Sequence, residues 1–553
     1  MAKYLVIGGV AGGAAFAAKM RRLDEKAEIT IFEKGPYVSY ANCGLPYYIG
    51  DVIKEESELI LHTPETLKAR YNIEVLVNNE AVAINRQQKT VAVKNLVDGA
   101  TKDYAYDKLM LAPGGQAIKP PIEGIDLPEV FTIRDVDDTK AIKKFIVENK
   151  PKTAAVIGGG FIGVEMADNF HEVGIKVTLI EAAEQVMGPF DYEMAAILHN
   201  HMREKGIDLR LSSALKGIKK KDGQLELELA DGTVKVDMVL LGIGVRPNTK
   251  LAVAAGLQIG TTGGIKTNEY MQTSDADIYA SGDAVEVTHK VTGKPVLIAL
   301  AGNANKQARI AAKHIAGRSD KMGPVLGTSV AKVFELTAAS TGANEKQIKA
   351  AGMKYDKIYL HPGNHAGYYP GAFPVSIKLL FSVPDGKVLG AQAIGKDGTD
   401  KRIDVIATGM AAEFNVFDLG ELELAYAPPY SSTRDPVNYA GDIAAEILFK
   451  GLKQFFWHDC AKLNDGKNFI IDARTPAEYK RGTIAGAINI PLNEIRERIN
   501  EIPKDRDVYI FCLSGLRSYV ASCILRNAGI NAINLSGGYT SWSIVAKDKG
   551  WID

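Results

Sequence analysis

A glycine turn set between an apolar strand and a small-residue helix occurs twice in this 553-residue chain, and it narrows the possible folds more than any other feature. The first is KYLVIGGVAGG, running into AAFAAKMRR. The second, TAAVIGGGFIGVEMADNF, holds Gly158, Gly160 and Gly163 as a complete GxGxxG. Each leads to a further strand ending in an acid: EITIFEK reaches Glu33, 25 residues beyond Gly8, and KVTLIEAAE reaches Glu181. The glycines permit a tight turn, the helix N-terminus offers free N–H groups to a pyrophosphate, and the acid suits a ribose 2′-hydroxyl. Two βαβ dinucleotide units are expected. The first departs from the full pattern, with Val10 at the middle glycine position and Gly13 in place. A carboxylate at Glu181 would repel a 2′-phosphate, so NADH is favoured, with NADPH still possible.

Two further stretches, DKLMLAPGG and VDMVLLGIGVRP, read as buried strands ending in small residues, each similarly placed downstream of a glycine turn. SDADIYASGDAVEV then puts Asp283 after a strand and a glycine. One nucleotide unit inserted within another is the arrangement that hydride transfer between a nicotinamide and a flavin requires. On these motifs the chain resembles the pyridine nucleotide-disulfide oxidoreductases. The resemblance implies FAD in the outer fold, held by Gly8, Val10, Ala11, Gly12, Glu33, Lys34, Asn42, Val82, Ala112, Arg134, Asp283 and Ala301. It implies NAD(P)H in the inserted fold, at Gly158, Gly160, Ile162, Gly163, Glu181 and Gly244.

The stretch SYANCGLPYY carries a lone cysteine, Cys43, whose nearest fellow in sequence is Cys460. Ser39, Tyr40, Asn42, Cys43 and Gly44 match S-[FY]-x-N-C-G and resemble the single-cysteine branch of the family, which contains coenzyme A disulfide reductases, NADH oxidases and NADH peroxidases. The missing partner is then a substrate thiol, giving a mixed disulfide, or an oxygen, giving a sulfenic acid. HAGYYPGAFPVSIKLLF and LELAYAPPYSSTRDPVNYAG resemble the interface domain of the coenzyme A disulfide reductases, in which two tyrosines of a partner subunit reach the thiol. They map to Tyr368 and Tyr426, able to protonate a departing CoA thiolate. Coenzyme A carries phosphates that need fixed cations, and the family positions for its contacts fall on Lys19, Arg22, Ser39, Asn42, Arg70 and Arg434.

Beyond EILFKGLKQFFWHD the character changes to a compact α/β unit in which Cys512 follows the apolar strand DVYIF and CLSGLRS turns into a helix. Loop N–H groups and the helix N-terminus favour an anion at that cysteine. IIDARTPAEY (Asp472, Arg474, Glu478), GAINIP and GGYTSW resemble rhodaneses, which carry sulfane sulfur as a cysteine persulfide. Cysteine-based phosphatases use a longer loop than the four residues, LSGL, between Cys512 and Arg517, and the shorter loop suits a sulfur atom. Cys460 and Cys523 lack such settings and read as structural.

The expected class is therefore α/β: two Rossmann-like domains, the NAD domain inserted in the FAD domain, then an α+β dimerisation domain and a C-terminal rhodanese-like α/β domain. Expected boundaries are 1–115 with 248–322 for FAD, 116–247 for NAD(P)H, 323–447 for dimerisation, 448–460 as linker and 461–553 for the rhodanese. The expected activity is NADH-dependent reduction of CoA persulfide, polysulfide and CoA disulfide through Cys43, releasing CoA and hydrogen sulfide, with Cys512 handling sulfane sulfur. The alternative is an NADH oxidase or peroxidase with Cys43 as a sulfenic acid. The resemblance also implies a homodimer. Equal counts of basic and acidic residues, 66 each, give no reason to expect a nucleic-acid or membrane-surface partner. Four scattered cysteines suit a reducing cytoplasm and offer no metal site. The apolar start YLVIGGVAGGAAFAA is followed by KMRR and is read as part of the fold, and no apolar run reaches the about 18 residues of a membrane span.

Overall fold

The computed structural model describes residues 1–463 and 468–552, so of the domain expected at 461–553, residues 464–467 and 553 lie outside the described residues. The chain forms two compact units, one of residues 1–186 and 207–327, the other of 187–206 and 328–553.

The first unit contains two parallel five-stranded sheets of the same plan. In one, the central strand Lys3–Ile7 lies between Glu28–Phe32 and Lys108–Leu111, with Glu74–Leu76 and Ile278–Ala280 at the edges. In the other, Thr153–Ile157 lies between Lys176–Ile180 and Met238–Leu241, with Asp208–Arg210 and Val130–Thr132 outside. The central strands are near-continuous apolar runs because both faces of such a sheet are covered. Tyr4 to Ile7 and Ala154 to Ile157 are all buried. Each sheet is accompanied by a three-stranded antiparallel meander, Asn79–Asn85, Thr90–Asn95 and Thr101–Ala105 for the first and Leu215–Lys221, Gln224–Leu229 and Gly232–Val236 for the second. The chain leaves the first sheet and returns to it side by side, in the antiparallel ribbon of Gly115–Ala117 and Val245–Pro247. The strand–glycine–helix units therefore sit at the carboxyl ends of the central strands, where open α/β sheets bind nucleotides.

The second unit combines an antiparallel sheet with a parallel one. Ser329–Val333, Leu336–Gly342, Val388–Gly395, Ser376–Ser382 and Tyr355–Leu360 form the antiparallel sheet, with Thr399–Ala411 packed on it. The C-terminal domain is a parallel sheet ordered Gln454–Phe455, Ala532–Leu535, Val508–Phe511, Phe469–Asp472, Ala487–Asn489. Alternation along its strands divides two small cores, Ile471 and Ile510 in one, Ile470 and Phe511 in the other.

One helix is placed where its position in sequence does not suggest. Tyr192–Glu204 lies between two strands of the inserted nucleotide sheet in sequence, yet it belongs to the second unit. Its apolar face buries Met194, Leu198 and Met202, and Asp548 near the end of the last helix bonds Tyr192 at 2.5 Å and His199 Nδ1 at 3.0 Å. The loop before it contributes to a buried charge cluster, in which the Lys378 ammonium meets Asp191 at 2.8 Å, Glu345 at 2.5 Å and also Glu193. Burial works against the charge of Lys378, but these carboxylates outweigh it and raise its pKa. The three acids are grouped closely enough to hold a metal ion, and the lysine supplies their countercharge.

Candidate functional site

The two glycine turns are built alike. Gly8 and Gly158 end the central strands at φ +92° and +102°, a conformation that costs a residue with a Cβ far more than glycine. A Cβ on Gly13 or Gly163 would lie 1.8 Å from the carbonyl oxygen of Gly8 or Gly158, so helix and strand touch backbone to backbone in both units. The helices Ala11–Arg21 and Phe161–Glu172 have Val10 and Gly160 as N-caps with no side-chain hydrogen bond, leaving their first N–H groups available to phosphate. Glu33 accepts from Gly9 N at 2.7 Å, and Glu181 accepts from Gly159 N at 2.6 Å. Burial raises the pKa of Glu33 against the pull of its backbone bonds.

Further positions expected to meet a flavin converge on the first turn. A Cβ on Gly12 would contact Ser281 Oγ and the Ala112 methyl, which places three elements around one backbone. Arg134 donates to Gly115 O at 2.8 Å and to Asp283 at 2.9 Å, while Gly282 at φ +89° carries the chain round to Asp283. Ala301 opens the helix Ala301–Ile315. Lys34 pairs with Glu80 at 3.0 Å, and Val82 is exposed on its strand. In the inserted fold Ile162 lies in the first turn of its helix and Gly244 accepts from Ile118 N at 3.0 Å. The Oδ1 of Asn42, next to the cysteine, is buried without a hydrogen-bond partner. The glycine turns, bare helix ends and this unsatisfied acceptor fit two dinucleotides and a bound substrate.

Cys43 sits in the short turn Asn42–Gly44. Ser39, four residues before it, holds a left-handed φ of +49°, fixed by its N–H to Gly9 O and by Leu61 N–H to its own carbonyl. The chain carrying the thiol is thus tied to the first glycine turn. Cys43 reaches solvent, but the protein packed around it desolvates the thiol and raises its pKa, Glu165 and Asp283 adding to the rise and Arg134 opposing it. Glu165 was not legible as a site residue. It comes from the inserted fold's helix Phe161–Glu172, which packs on Leu45–Ile49 just after Cys43. Burial pushes its carboxyl up to about 7, a bond from Tyr47 opposing and Asp168 adding. Its one sequence signal is its position two residues beyond Gly163, on the same helix as the motif.

Cations expected at the coenzyme A site stand at helix ends. Lys19 and Arg22 close Ala11–Arg21, and the pKa of Lys19 is lowered by desolvation and then by Arg22, Arg309, Arg318 and Lys313. The last three come from Ala301–Ile315 and the turn after it, a helix packed on the first. Sequence reading missed them, although Arg309 and Lys313 stand four apart on one helix face. Arg21 is buried and bonds the carbonyls of Tyr71 and Asn72, which ties the helix end carrying Arg70 to the same region. Arg434 pairs with Asp442 at 2.6 Å. Tyr368 and Tyr426, 58 residues apart, share a hydroxyl–hydroxyl bond of 2.9 Å on an exposed surface, and that bond raises the pKa of Tyr426.

Cys512 is buried at the end of Val508–Phe511. Gly515 N donates to its sulfur at 3.2 Å and Ser518 Oγ at 3.4 Å. The loop is braced from behind: Tyr539 N donates to Cys512 O at 2.7 Å, and the Tyr539 ring lies 4.0 Å from the Arg474 guanidinium, itself paired with buried Asp472. Arg517 donates both terminal nitrogens to Glu478 at 2.7 Å, and this pairing holds the Glu478 carboxyl down to about 2. Cys460 lies in the core, where burial pushes its thiol to about 12, and Cys523 is half-buried.

Residues 2–308 match the family model of pyridine nucleotide-disulphide oxidoreductases, residues 328–436 the dimerisation domain of those proteins, and residues 458–544 the rhodanese-like domain. The chain is 35% identical over 448 residues to a coenzyme A disulfide reductase of Staphylococcus haemolyticus, covering 81% of this chain and all of that one. The reduced CoADR-RHD protein of Bacillus anthracis is similar in structure with a TM-score of 0.97 and 47% identity, covering 99% of this chain and 98% of that one. A NAD-dependent persulfide reductase from A. fulgidus is similar with a TM-score of 0.92 and 37% identity, over 98% of this chain and 100% of that one.

Proposed function

We propose that this chain, which belongs to the pyridine nucleotide-disulphide oxidoreductase family, uses NADH to reduce CoA persulfide, polysulfide and CoA disulfide at Cys43, releasing CoA and hydrogen sulfide, while Cys512 handles the sulfane sulfur. As a member of that family it is a flavoprotein oxidoreductase using FAD and NAD(H), here joined to a rhodanese-like domain. The observation that carries the reading is a pair of differently built thiols. Cys43 is the one cysteine of a unit with two dinucleotide turns, and Cys512 lies in a loop that points hydrogen-bond donors at its sulfur.

Bound FAD would supply a two-electron carrier between NADH and Cys43. The outer glycine turn, Glu33, Arg134 and Asp283 are assigned to hold it, and the inserted turn with Glu181 to hold NADH. With CoA disulfide, the Cys43 thiolate attacks one sulfur, the disulfide bond breaks, one CoA thiolate leaves with the electron pair, and Cys43 retains the other CoA as a mixed disulfide. With CoA persulfide, attack on the terminal sulfur releases CoA and leaves a persulfide on Cys43. Two electrons then free the second CoA, or hydrogen sulfide, and restore the thiolate. Lys19, Arg22, Arg70 and Arg434 would meet the CoA phosphates, Arg309 adding positive charge near Lys19, with Ser39 and Asn42 near the thiol in sequence. In a homodimer, for which the dimerisation-domain match is the support, Tyr368 and Tyr426 would serve the partner subunit's thiol, protonating the leaving thiolate. Among the described residues no helix is long and apolar enough to cross a membrane. A reducing cytoplasm suits the unpaired thiols.

The test is anaerobic NADH consumption with CoA persulfide, CoA disulfide and polysulfide, in the intact protein, Cys43→Ser and Cys512→Ser. Loss of all turnover in the first variant, and impairment with sulfane substrates alone in the second, is expected. NADH consumption only with oxygen or peroxide would instead make Cys43 a sulfenic-acid centre and overturn the proposal.

A further inference from the structure

The cysteine loop of the C-terminal domain carries a cation whose charge is already answered. Arg517 stands five residues beyond Cys512, where a loop built to retain an oxyanion would leave its guanidinium free. Here each terminal nitrogen is taken by one oxygen of Glu478, both at 2.7 Å. Glu478 is itself held from the other side, because Thr475 N and Oγ1 donate to its Oε2 at 3.0 and 2.8 Å. A carboxylate bonded on both sides does not yield its arginine to an incoming anion without breaking a bidentate pair. Within residues 513–520 the exposed side chains are apolar: Leu513 is 43% exposed, Leu516 68% and Val520 38%. Leu516 and Val520, four apart, share one face of the helix Leu516–Asn527. Thr540 N and Oγ1 both donate to the Leu513 carbonyl, fixing the loop backbone there.

We propose that Glu478 sets the donor class of Cys512. By neutralising Arg517 within an apolar rim, it fits the loop to a sulfane sulfur borne on an uncharged organic arm, such as the pantetheine end of a CoA persulfide, and against the dianion thiosulfate. The inference rests on the sulfane-handling role proposed above for Cys512. Glu478 acts through Arg517 and is a positioning residue. The step it governs is loading: the Cys512 thiolate attacks the terminal sulfur of R–S–SH, the donor's S–S bond breaks, R–S⁻ leaves with the electron pair, and Cys512 keeps the sulfur and its proton as a persulfide. Thiosulfate would load the same thiolate by releasing sulfite, and would bring two negative charges to a loop whose arginine is already paired with Glu478.

The test uses full-chain holoenzyme carrying Cys43→Ser, so that loaded sulfur is not reduced away, and follows the gain of one sulfur atom on Cys512 by intact mass against donor concentration. Loading from CoA persulfide is expected to be about tenfold or more as efficient as from thiosulfate. Glu478→Gln keeps a residue able to complete the capping box with Thr475. It should lower the half-saturating thiosulfate concentration by about tenfold while changing the maximal rate by less than about twofold, and should make sulfate a competitive inhibitor. Glu478→Asp, which keeps the charge, should retain the discrimination. Independently of any variant, sulfate should not slow loading of the unsubstituted loop. Equal use of both donors, sulfate inhibition without substitution, or an unchanged thiosulfate half-saturation in a folded Glu478→Gln protein would overturn the assignment of Glu478 and leave the sulfane role standing. Failure to load from either donor would overturn that role, and this inference with it.

Discussion

Cys43 and Cys512 are the same side chain in two opposed settings. Cys43 lies in an exposed turn, where desolvation by the protein around it, and then Glu165 and Asp283 against Arg134, raise the pKa of its thiol. Cys512 is enclosed, with Gly515 N–H donating to its sulfur and the Ser518 hydroxyl shared between that sulfur and the Gly515 carbonyl. A loop that carries its own donors stabilises a thiolate or persulfide without help. A thiol among carboxylates depends on charge brought by whatever binds beside it. The contrast sets a thiol provided with hydrogen-bond donors against one whose ionisation its surroundings oppose.

The largest effect expected is from Cys43→Ser, which should reduce NADH turnover with every sulfur substrate by about a thousandfold or more. Cys512→Ser should leave CoA disulfide turnover within about twofold, and an equal loss in both variants would break the contrast. Next come the tyrosines. If they protonate the leaving CoA thiolate at Cys43, Tyr368→Phe and Tyr426→Phe should each slow CoA disulfide turnover by about tenfold, and the double variant by about a hundredfold, with sulfur loading at Cys512 unaffected. Ser518→Ala removes one donor from the Cys512 sulfur and should slow sulfur loading at Cys512 by about tenfold, with no change at Cys43.

The smallest effect concerns Glu165. Its carboxyl stays protonated in the folded protein up to about 7, above its ordinary value of 4.5. Because the folded pKa is raised, its contribution to stability is full below the ordinary value and is lost as pH rises through about 7. Over the same interval its developing charge opposes ionisation of Cys43. Glu165→Gln should therefore flatten the fall in stability between about pH 5 and 7 and move the alkylation profile of Cys43 to lower pH. A profile that does not move, read by iodoacetamide labelling across pH, would separate the two groups energetically.

Much of this architecture was written locally. A glycine at φ +92° or +102°, a strand before it, a small-residue helix after it and an acid at the next strand end are consequences of short-range sterics, so Gly8, Gly158, Glu33 and Glu181 could be read in order along the chain. The same holds for Cys512 after its strand, since four residues suffice to close its loop. The pairing of Tyr368 with Tyr426 was reachable only through resemblance, because nothing in the chain between them, 58 residues apart, encodes a hydroxyl contact. Glu165 beside Cys43, the cations of Ala301–Ile315 beside Lys19, and the helix Tyr192–Glu204 leaving its own sheet for the second unit had no such signal.

What the sequence determined by itself, then, was the number and kind of nucleotide turns, the solitary thiol beside the first, and the anion-favouring loop at the end, all features fixed within a few bonds of backbone. What only the tertiary structure decided was the company those groups keep. Glu165 acts on Cys43 because its helix Phe161–Glu172 packs on Leu45–Ile49, and Glu478 neutralises Arg517 across 39 residues. Such juxtapositions are set by burial and side-chain fit over distances that no local pattern spans, and they set the electrostatic surroundings of each thiol.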